Sequence, residues 1–496
     1  MKIPLTRAER TDYRETSLHK DVIEFVQSLR AQTKEVLVES MGRSGEGQDM
    51  PVLVLGATSP EDARRRGKPV LLVIANIHAG EVEGKEAILM LARDMTLGPL
   101  ARYPEKLCLV LVPNYNPDGN DRISKENRKL DLEKLEGQIN PEGGVGTRYT
   151  GKGINLNRDY MKLEADESRH LAKLYNRWWP HITMDCHTTD GSIHAYHLTY
   201  DSANNVASCP AAPVEYVRGT MLPAISRSLE KRTGLRTFFY GNYRNQDDPA
   251  SGWETYSPLP RYGSNYRGLT GCMDVLLEAY SYVSFRERTV VTIEILKEIF
   301  DYAIAHAEEV VRINDSATQP KTVGIEYGPA EDTGEIEIRA FDLESIRARR
   351  FTGTVTPFRC RWYSRFVPTK SVERPAAYLI RSDESAAIRK LRDHGIVLEP
   401  LRQEALDAEV YTVESVEKTS SPDVGNETRF ETVVRATRAR CRVEVRDGDL
   451  LVRTDQRLGT VAVYLLEPES DDGLVRWGYF DGSLATGREF GVCRVP

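Results

Sequence analysis

The chain has 496 residues, 40% apolar and 28% charged, the composition of an ordinary folded protein with more sequence than one core usually serves. With 67 basic and 74 acidic residues its formal charge is −7, which argues against nucleic acid as the main partner, because phosphate binding wants a basic surface. No apolar run approaches the roughly 18 residues of a membrane span. The amino terminus lacks the apolar core of a signal peptide, and the seven cysteines are scattered with no C-x-x-C pair, so a cytoplasmic protein without a disulfide framework is expected.

In chain order, Ser17 is positioned to cap a helix to about Ala31, striped by Val22, Phe25, Val26 and Leu29. Glu35–Glu39 and Met50–Leu55 read as strands joined across a Gly42–Gly47 turn. Pro69–Ile77 is a continuous apolar run, the pattern of a strand covered on both faces. Glu83–Met95 follows as a helix with Ala87, Ile88, Leu91 and Ala92 on one side. Leu107–Pro113 repeats the buried-strand pattern and enters the turn-rich Asn114–Gly119. The polar stretch 120–153 has the length of a functional loop. Next come a helix over Ala165–Trp178, a strand over Ile182–Cys186, a helix over Ala212–Thr233 and a Tyr- and Gly-rich loop over Tyr240–Gly271. A strand over Met273–Ala279 and a helix over Phe285–Ile313 complete an alternation that predicts an α/β fold, a mixed but mostly parallel sheet flanked by helices.

Asn314–Lys321 reads as a linker. Beyond it, Glu335–Ala340, Cys441–Val445 and Leu450–Thr454 predict β structure, Leu458–Leu466 is a further apolar run, and Ser382–His394 is a helix stopped by Gly395. Two domains are expected: 1–313, and a β-rich α+β domain over 322–496.

The chemistry gathers at strand ends, where open α/β sheets put their sites. His78 and Glu81 follow the first buried strand, His187 follows the strand over Ile182–Cys186, and Glu278 sits near the end of a third. Two histidines and a carboxylate, with a fourth position left to water, form a catalytic zinc arrangement. A further carboxylate beside it can take a proton from water and give it to a leaving amine. Plainer readings stand beside these. His187 fits a satisfied core histidine. Glu278 is harder to explain that way, because an unpaired buried carboxylate is costly. Lys125–Lys129 fits a solvated charged loop, His194 and His197 fit strand alternation, and Trp178-Trp179 fits core. Cys186 would face away from His187. Cys272, a possible reactive thiol, reads by default as a small buried filler. The acidic run Leu466–Gly473, followed by Trp477 and Tyr479, reads as a solvated turn.

Five ordered motifs are then informative together: His78-Ala79-Gly80-Glu81, Asn116-Pro117-Asp118-Gly119, Asn155-Leu156-Asn157-Arg158-Asp159, Asp185-Cys186-His187 and Leu277-Glu278-Ala279-Tyr280. Over residues 15–312 the chain resembles the zinc carboxypeptidases of the carboxypeptidase A type, in a large, bacterial-looking subgroup. The resemblance implies one Zn²⁺ held by His78, Glu81 and His187, with Glu278 as general base. It implies that Asn157 and Arg158 hold the substrate's terminal carboxylate, for which a guanidinium fork is well shaped. For the arginine that polarises the scissile carbonyl the choice is Arg128, with Arg122 and Arg148 as alternatives. For the tyrosine that closes on the substrate it is Tyr266, with Tyr262 and Tyr256 as alternatives. Thr270-Gly271-Cys272-Met273 lacks the basic character common in relatives of this subgroup, so their side-chain preference does not carry over.

The implied activity is hydrolysis of the C-terminal peptide bond of a peptide, with neither nucleic acid nor membrane as partner. Two rival hydrolases use the same zinc core: enzymes of the aspartoacylase and succinylglutamate desuccinylase group, which cleave N-acyl amino acids, and amidases of cell-wall peptides. A non-catalytic zinc-binding protein is the rival from another class.

Overall fold

The computed structural model describes residues 3–421 and 429–496. Its centre is an eight-stranded mixed sheet. In chain order the strands are β1 (Val36–Arg43), β2 (Asp49–Leu55), β3 (Val70–Ala75), β4 (Cys108–Val112), β5 (Ile182–Thr189), β6 (Leu198–Asp201) and β7 (Thr237–Phe239). A hairpin of β8 (Asn242–Asn245) and β9 (Asp248–Glu254) precedes β10 (Met273–Tyr280), which returns to the sheet. The order is β1-β2-β4-β3-β5-β10-β6-β7. The four central strands β4, β3, β5 and β10 run parallel, and antiparallel pairs flank them.

The unbroken apolar runs follow from this placement. Successive side chains of a strand point to opposite faces, and here both faces are covered. Leu71, Val73 and Ala75 pack with helices His19–Gln32, Glu83–Thr96 and Phe285–Ala305. Val70, Leu72 and Ile74 pack on the other side with helix Asp166–Trp178. That second cluster continues past the 314–321 segment into Tyr378, Ile380, Leu391, Val461 to Leu466 and Phe490. The run at 458–466 becomes helix Gly459–Leu466, with all eight residues buried. Among the described residues, no helix is long and apolar enough to cross a membrane.

Residues 322–496 are β-rich, as expected, with a six-stranded antiparallel sheet whose edge is the hairpin Ala405–Ser421 with Arg429–Glu444. Strand Val355–Tyr363 pairs with β9, so this half also lengthens the β8–β9 hairpin. Several local readings need correction. Ser17 does not cap helix His19–Gln32, whose N-cap is Leu18; its hydroxyl donates to Glu86 Oε2 at 2.9 Å. The Tyr240–Gly271 loop contains the β8–β9 hairpin and helix Gly263–Leu269. The helix over Phe285–Ile313 is two helices, broken at His306. The acidic run 466–473 is not a solvated turn: Glu467, Ser470 and Asp472 are all buried.

Candidate metal centre and substrate cleft

The site is assembled at the carboxyl ends of β3, β5 and β10. After β3, Asn76 takes a left-handed conformation (φ 65°) and donates through Nδ2 to Asn114 and Asn120. That turn delivers His78 and Glu81 over the end of the sheet. On β5 and β10 the parallel register pairs His187 with Glu278. Adjacent partners in a sheet project to the same face, so these two side chains stand next to each other. Both lie inside their strands, which run further than the sequence pattern suggests.

Glu81 Oε1 is 3.0 Å from His78 Nδ1, and Glu81 Oε2 is 3.0 Å from His187 Nδ1. All three residues are buried, and their donor atoms lie within 4.8 Å of one another. Three donors held at about 2.1 Å from one tetrahedral ion stand roughly 3.4 Å apart, so this set fits a zinc ion with little adjustment. The outer nitrogens are also supported. His78 Nε2 is 3.2 Å from Asn155 Oδ1, and His187 Nε2 is 3.3 Å from Asp185 Oδ1. A contact such as that of His78 with Asn155 fixes ring orientation and tautomer in metal-binding histidines, while His187 and Asp185 stand at ion-pair distance without an aligned hydrogen bond. Asp185 is held in turn by Arg267 Nη2 at 2.9 Å.

A cleft of about 330 Å³ opens over these groups. Arg128, Arg148, Asn157, Arg158, Tyr256, Tyr262 and Glu278 line it, with Tyr240, Asp190 and Leu276. Within it the predicted residues divide. Arg128 is fastened on three sides: Nη1 to Glu81 at 2.9 Å, Nε to Gln138 at 2.9 Å, Nη2 to the Thr188 carbonyl at 3.1 Å. Arg148 reaches the same place with a side chain one-third exposed, its Nη1 3.2 Å from His78 Nδ1 and 3.6 Å from Glu81 Oε1. Arg122 lies outside the cleft, bonded to Glu46 and the Gly151 carbonyl. Asn157 Oδ1 accepts from the Gly263 N–H at 3.0 Å, and the Arg158 guanidinium lies 3.9 Å from the centre of the Tyr262 ring.

Tyr266 must be corrected. It sits in helix Gly263–Leu269, is buried in the core, and its hydroxyl is 2.8 Å from His394 Nδ1. Tyr262 and Tyr256 are the tyrosines of that segment that face the cleft. His194 packs against Tyr280, ring centres 4.3 Å apart, and His197 Nδ1 accepts from the Arg236 N–H, so neither joins the metal group. Sequence reasoning missed Tyr240, Asp185 as partner of His187, and Gln138. Only Asp185 carried a signal, its place two residues before a candidate ligand.

Comparison with known proteins agrees with this geometry. Residues 22–180, which contain His78, Glu81, Asn157 and Arg158, match the family described as zinc carboxypeptidase. Over residues 22–180 the chain is thus similar to the zinc carboxypeptidases. Carboxypeptidase 2 of Trichophyton tonsurans is 23% identical over 476 residues, spanning 91% of this chain and 81% of its own length. Carboxypeptidase Z of Gallus gallus is 28% identical over 162 residues, 29% of this chain and 23% of its own. A metallo-carboxypeptidase structure from Burkholderia cenocepacia, 17% identical, covers 58% of this chain and 69% of its own at a TM-score of 0.42.

The electrostatics of the site suit a bound cation. Burial, reinforced by Arg148, holds the His78 imidazole down to about 3, so it is neutral and able to ligate. Burial opposes charge on Glu81, but His78 and Arg128 overcome it and hold the carboxyl well below its usual range. Burial likewise opposes charge on His187, yet Asp185 and Glu81 raise it; the same field favours a metal cation beside it. Glu278 is the exception. Burial pushes it up to about 8, opposed by His187 and helped by Glu81. A carboxyl in that state exchanges protons near neutrality, and a neighbouring cation lowers it further toward a working base.

Proposed function

We propose that this chain removes C-terminal residues from peptides, with His78, Glu81 and His187 holding one Zn²⁺. The observation that carries the reading is the register pair His187–Glu278 facing His78 and Glu81 in the cleft that also holds Arg158. A zinc ion in that site supplies Lewis acidity, polarising a carbonyl and making water more acidic.

The chain's own residues supply the rest. Arg158 and the Asn157 amide bind the terminal carboxylate of the peptide, which sets the last peptide bond over Glu278. Asn157 Oδ1 is committed to Gly263, so its amide N–H groups are the ones available to a ligand. Glu278 takes the proton of the attacking water and passes it to the leaving amine nitrogen. The growing negative charge on the carbonyl oxygen needs a donor already aimed at it. Arg148 serves there better than Arg128, because Arg128 is spent on Glu81, Gln138 and Thr188 and acts by holding Glu81. Tyr262, stacked on Arg158, keeps that guanidinium in place.

The test is metal dependence on a defined substrate. Protein stripped by chelator and reloaded with zinc is given an N-blocked dipeptide with a free C-terminus. One zinc per chain should restore release of the free amino acid. Activity that survives stripping, or a chain that takes up no zinc, contradicts the proposal.

A further inference from the structure

Among the described residues, none beyond Glu278 lines the cleft. The C-terminal half nevertheless grips the two segments that build the carboxylate site. Arg261 directly precedes Tyr262 and Gly263 but turns away from the cleft, its side chain only 3% exposed. Two buried carboxylates of the C-terminal half meet it. Asp472 accepts from the Arg261 backbone N–H at 2.5 Å and from Nε at 3.1 Å, and Glu431 accepts from Nη1 at 3.1 Å. The second oxygen of Glu431 accepts from Arg476 Nε at 2.7 Å, and Asp472 Oδ1 also accepts from the Trp477 indole N–H at 2.9 Å.

Trp477 joins the two segments. Its ring centre is 4.6 Å from the Arg261 guanidinium and 4.7 Å from Lys162 Nζ. Lys162 lies four residues beyond Arg158 in the other segment, and its carbonyl accepts from the Tyr479 hydroxyl at 3.2 Å. Both segments of the site, Asn157–Lys162 and Arg261–Gly263, are therefore tied to one tryptophan. A guanidinium taken out of water is stable only where its charges and hydrogen bonds are matched, so Arg261 has one favourable position, and Tyr262 and Gly263 follow it.

We propose that Asp472, with Glu431 and Trp477, is a positioning residue for catalysis: through Arg261 it sets Tyr262 and Gly263 against Arg158 and Asn157, and so shapes the carboxylate site from outside the cleft. This rests on the reading of Arg158 and Asn157 as the carboxylate site. The C-terminal half then acts as the outer wall of the substrate-reading loop.

The experiment is Asp472→Asn in the full, zinc-loaded chain, which keeps the size of the side chain and removes its charge. An error of an ångström in placement costs one to two decades, so KM for the free-carboxylate dipeptide should rise about tenfold. The kcat should stay within about twofold and zinc content should not change, because the metal set and Glu278 are untouched. Hydrogen exchange of residues 255–266 should quicken while that of β10 does not. Unchanged KM with unchanged exchange overturns the proposal, and so does a parallel loss of kcat and zinc, which marks a merely structural role. If Asp472→Asn does not fold, Trp477→Phe removes the indole N–H to Asp472 but keeps an aromatic ring; it must give a smaller shift of KM in the same direction, and no shift overturns the proposal. Should the wild-type chain cleave no such peptide, the reading of the site fails by itself, and unchanged exchange at 255–266 in Asp472→Asn is then the result that overturns the clamp.

Discussion

Two buried clusters of charge lie on either side of the Arg261–Gly263 segment, and they are built to opposite rules. Around Arg261 the charges are matched: one guanidinium meets Asp472 and Glu431, and the second oxygen of Glu431 has Arg476. Such a cluster fixes the chain and offers little to a ligand. Around Glu81 the charges crowd against a cleft, with Arg128, Arg148 and Arg158 beside two histidines and Glu278. There Glu278 rises to about 8, burial outweighing His187, and His78 falls to about 3, burial and Arg148 outweighing Glu81. Displaced protonation beside an open cleft is a mark of working groups; burial also displaces Asp472 upward, but there the group faces Arg261 and no cleft. Burial alone does not separate the two kinds; what the charges face does.

The comparison can be broken first on the cleft side. Arg148→Ala should lower kcat by about 100- to 1,000-fold, the usual loss of an oxyanion donor, with KM little changed. An equal loss confined to Arg128→Ala, with Arg148→Ala silent, would return the role to Arg128. Arg158→Lys removes the fork but keeps the charge. KM for a free-carboxylate dipeptide should rise about 10- to 100-fold, and the preference over the matching C-terminal amide should shrink; steady-state kinetics on the pair of substrates reads both.

On the holding side the expected effects are smaller and concern stability. His394 is buried between Tyr266 and the Met161 carbonyl, and burial keeps it down to about 4 against 6.5 in an open chain. Between those pH values the unfolded chain takes up a proton that the native state refuses. The stability His394 contributes is therefore full above pH 6.5 and is lost as pH falls to 4, about 3 kcal/mol at about 1.4 kcal/mol per decade of proton affinity. Urea unfolding should show the wild type losing more stability than His394→Gln as pH falls across that window, so that the advantage His394 gives shrinks. Tyr266→Phe should cost about 1 kcal/mol through the lost hydroxyl bond and leave kcat/KM unchanged within threefold; a large loss of kcat would restore Tyr266 to the cleft.

Much of the fold and of the grouping of His78, Glu81 and His187 was legible because both rest on short-range pattern. Leu71–Ile77 reads as a doubly covered strand, and His78-x-x-Glu81 at its end needs no distant information. His187 and Glu278 were legible as strand-end residues, although their pairing in register depends on which strands neighbour each other. How the two cleft arginines are held was not legible. Arg128 and Arg148 both lie in the irregular segment 120–153, where no periodicity says which way a side chain points, and only contacts to Gln138 and Thr188 tell them apart. Tyr266 was misread because helix Gly263–Leu269 is too short to announce itself, and it turns Tyr266 into the core. The run 466–473 looked solvated by composition; its partner Arg261 lies 211 residues upstream of Asp472, a separation no local pattern spans.

The most direct test of the central claim is kcat/KM of zinc-loaded Glu278→Gln beside wild type, on one N-blocked dipeptide as free acid and as amide, with zinc counted in both proteins. The account predicts a wild type that cleaves the acid far faster than the amide. It predicts a variant that keeps one zinc per chain and loses at least about 100-fold on the acid. A variant that retains wild-type turnover with its zinc in place would remove Glu278 from the chemistry and contradict the account.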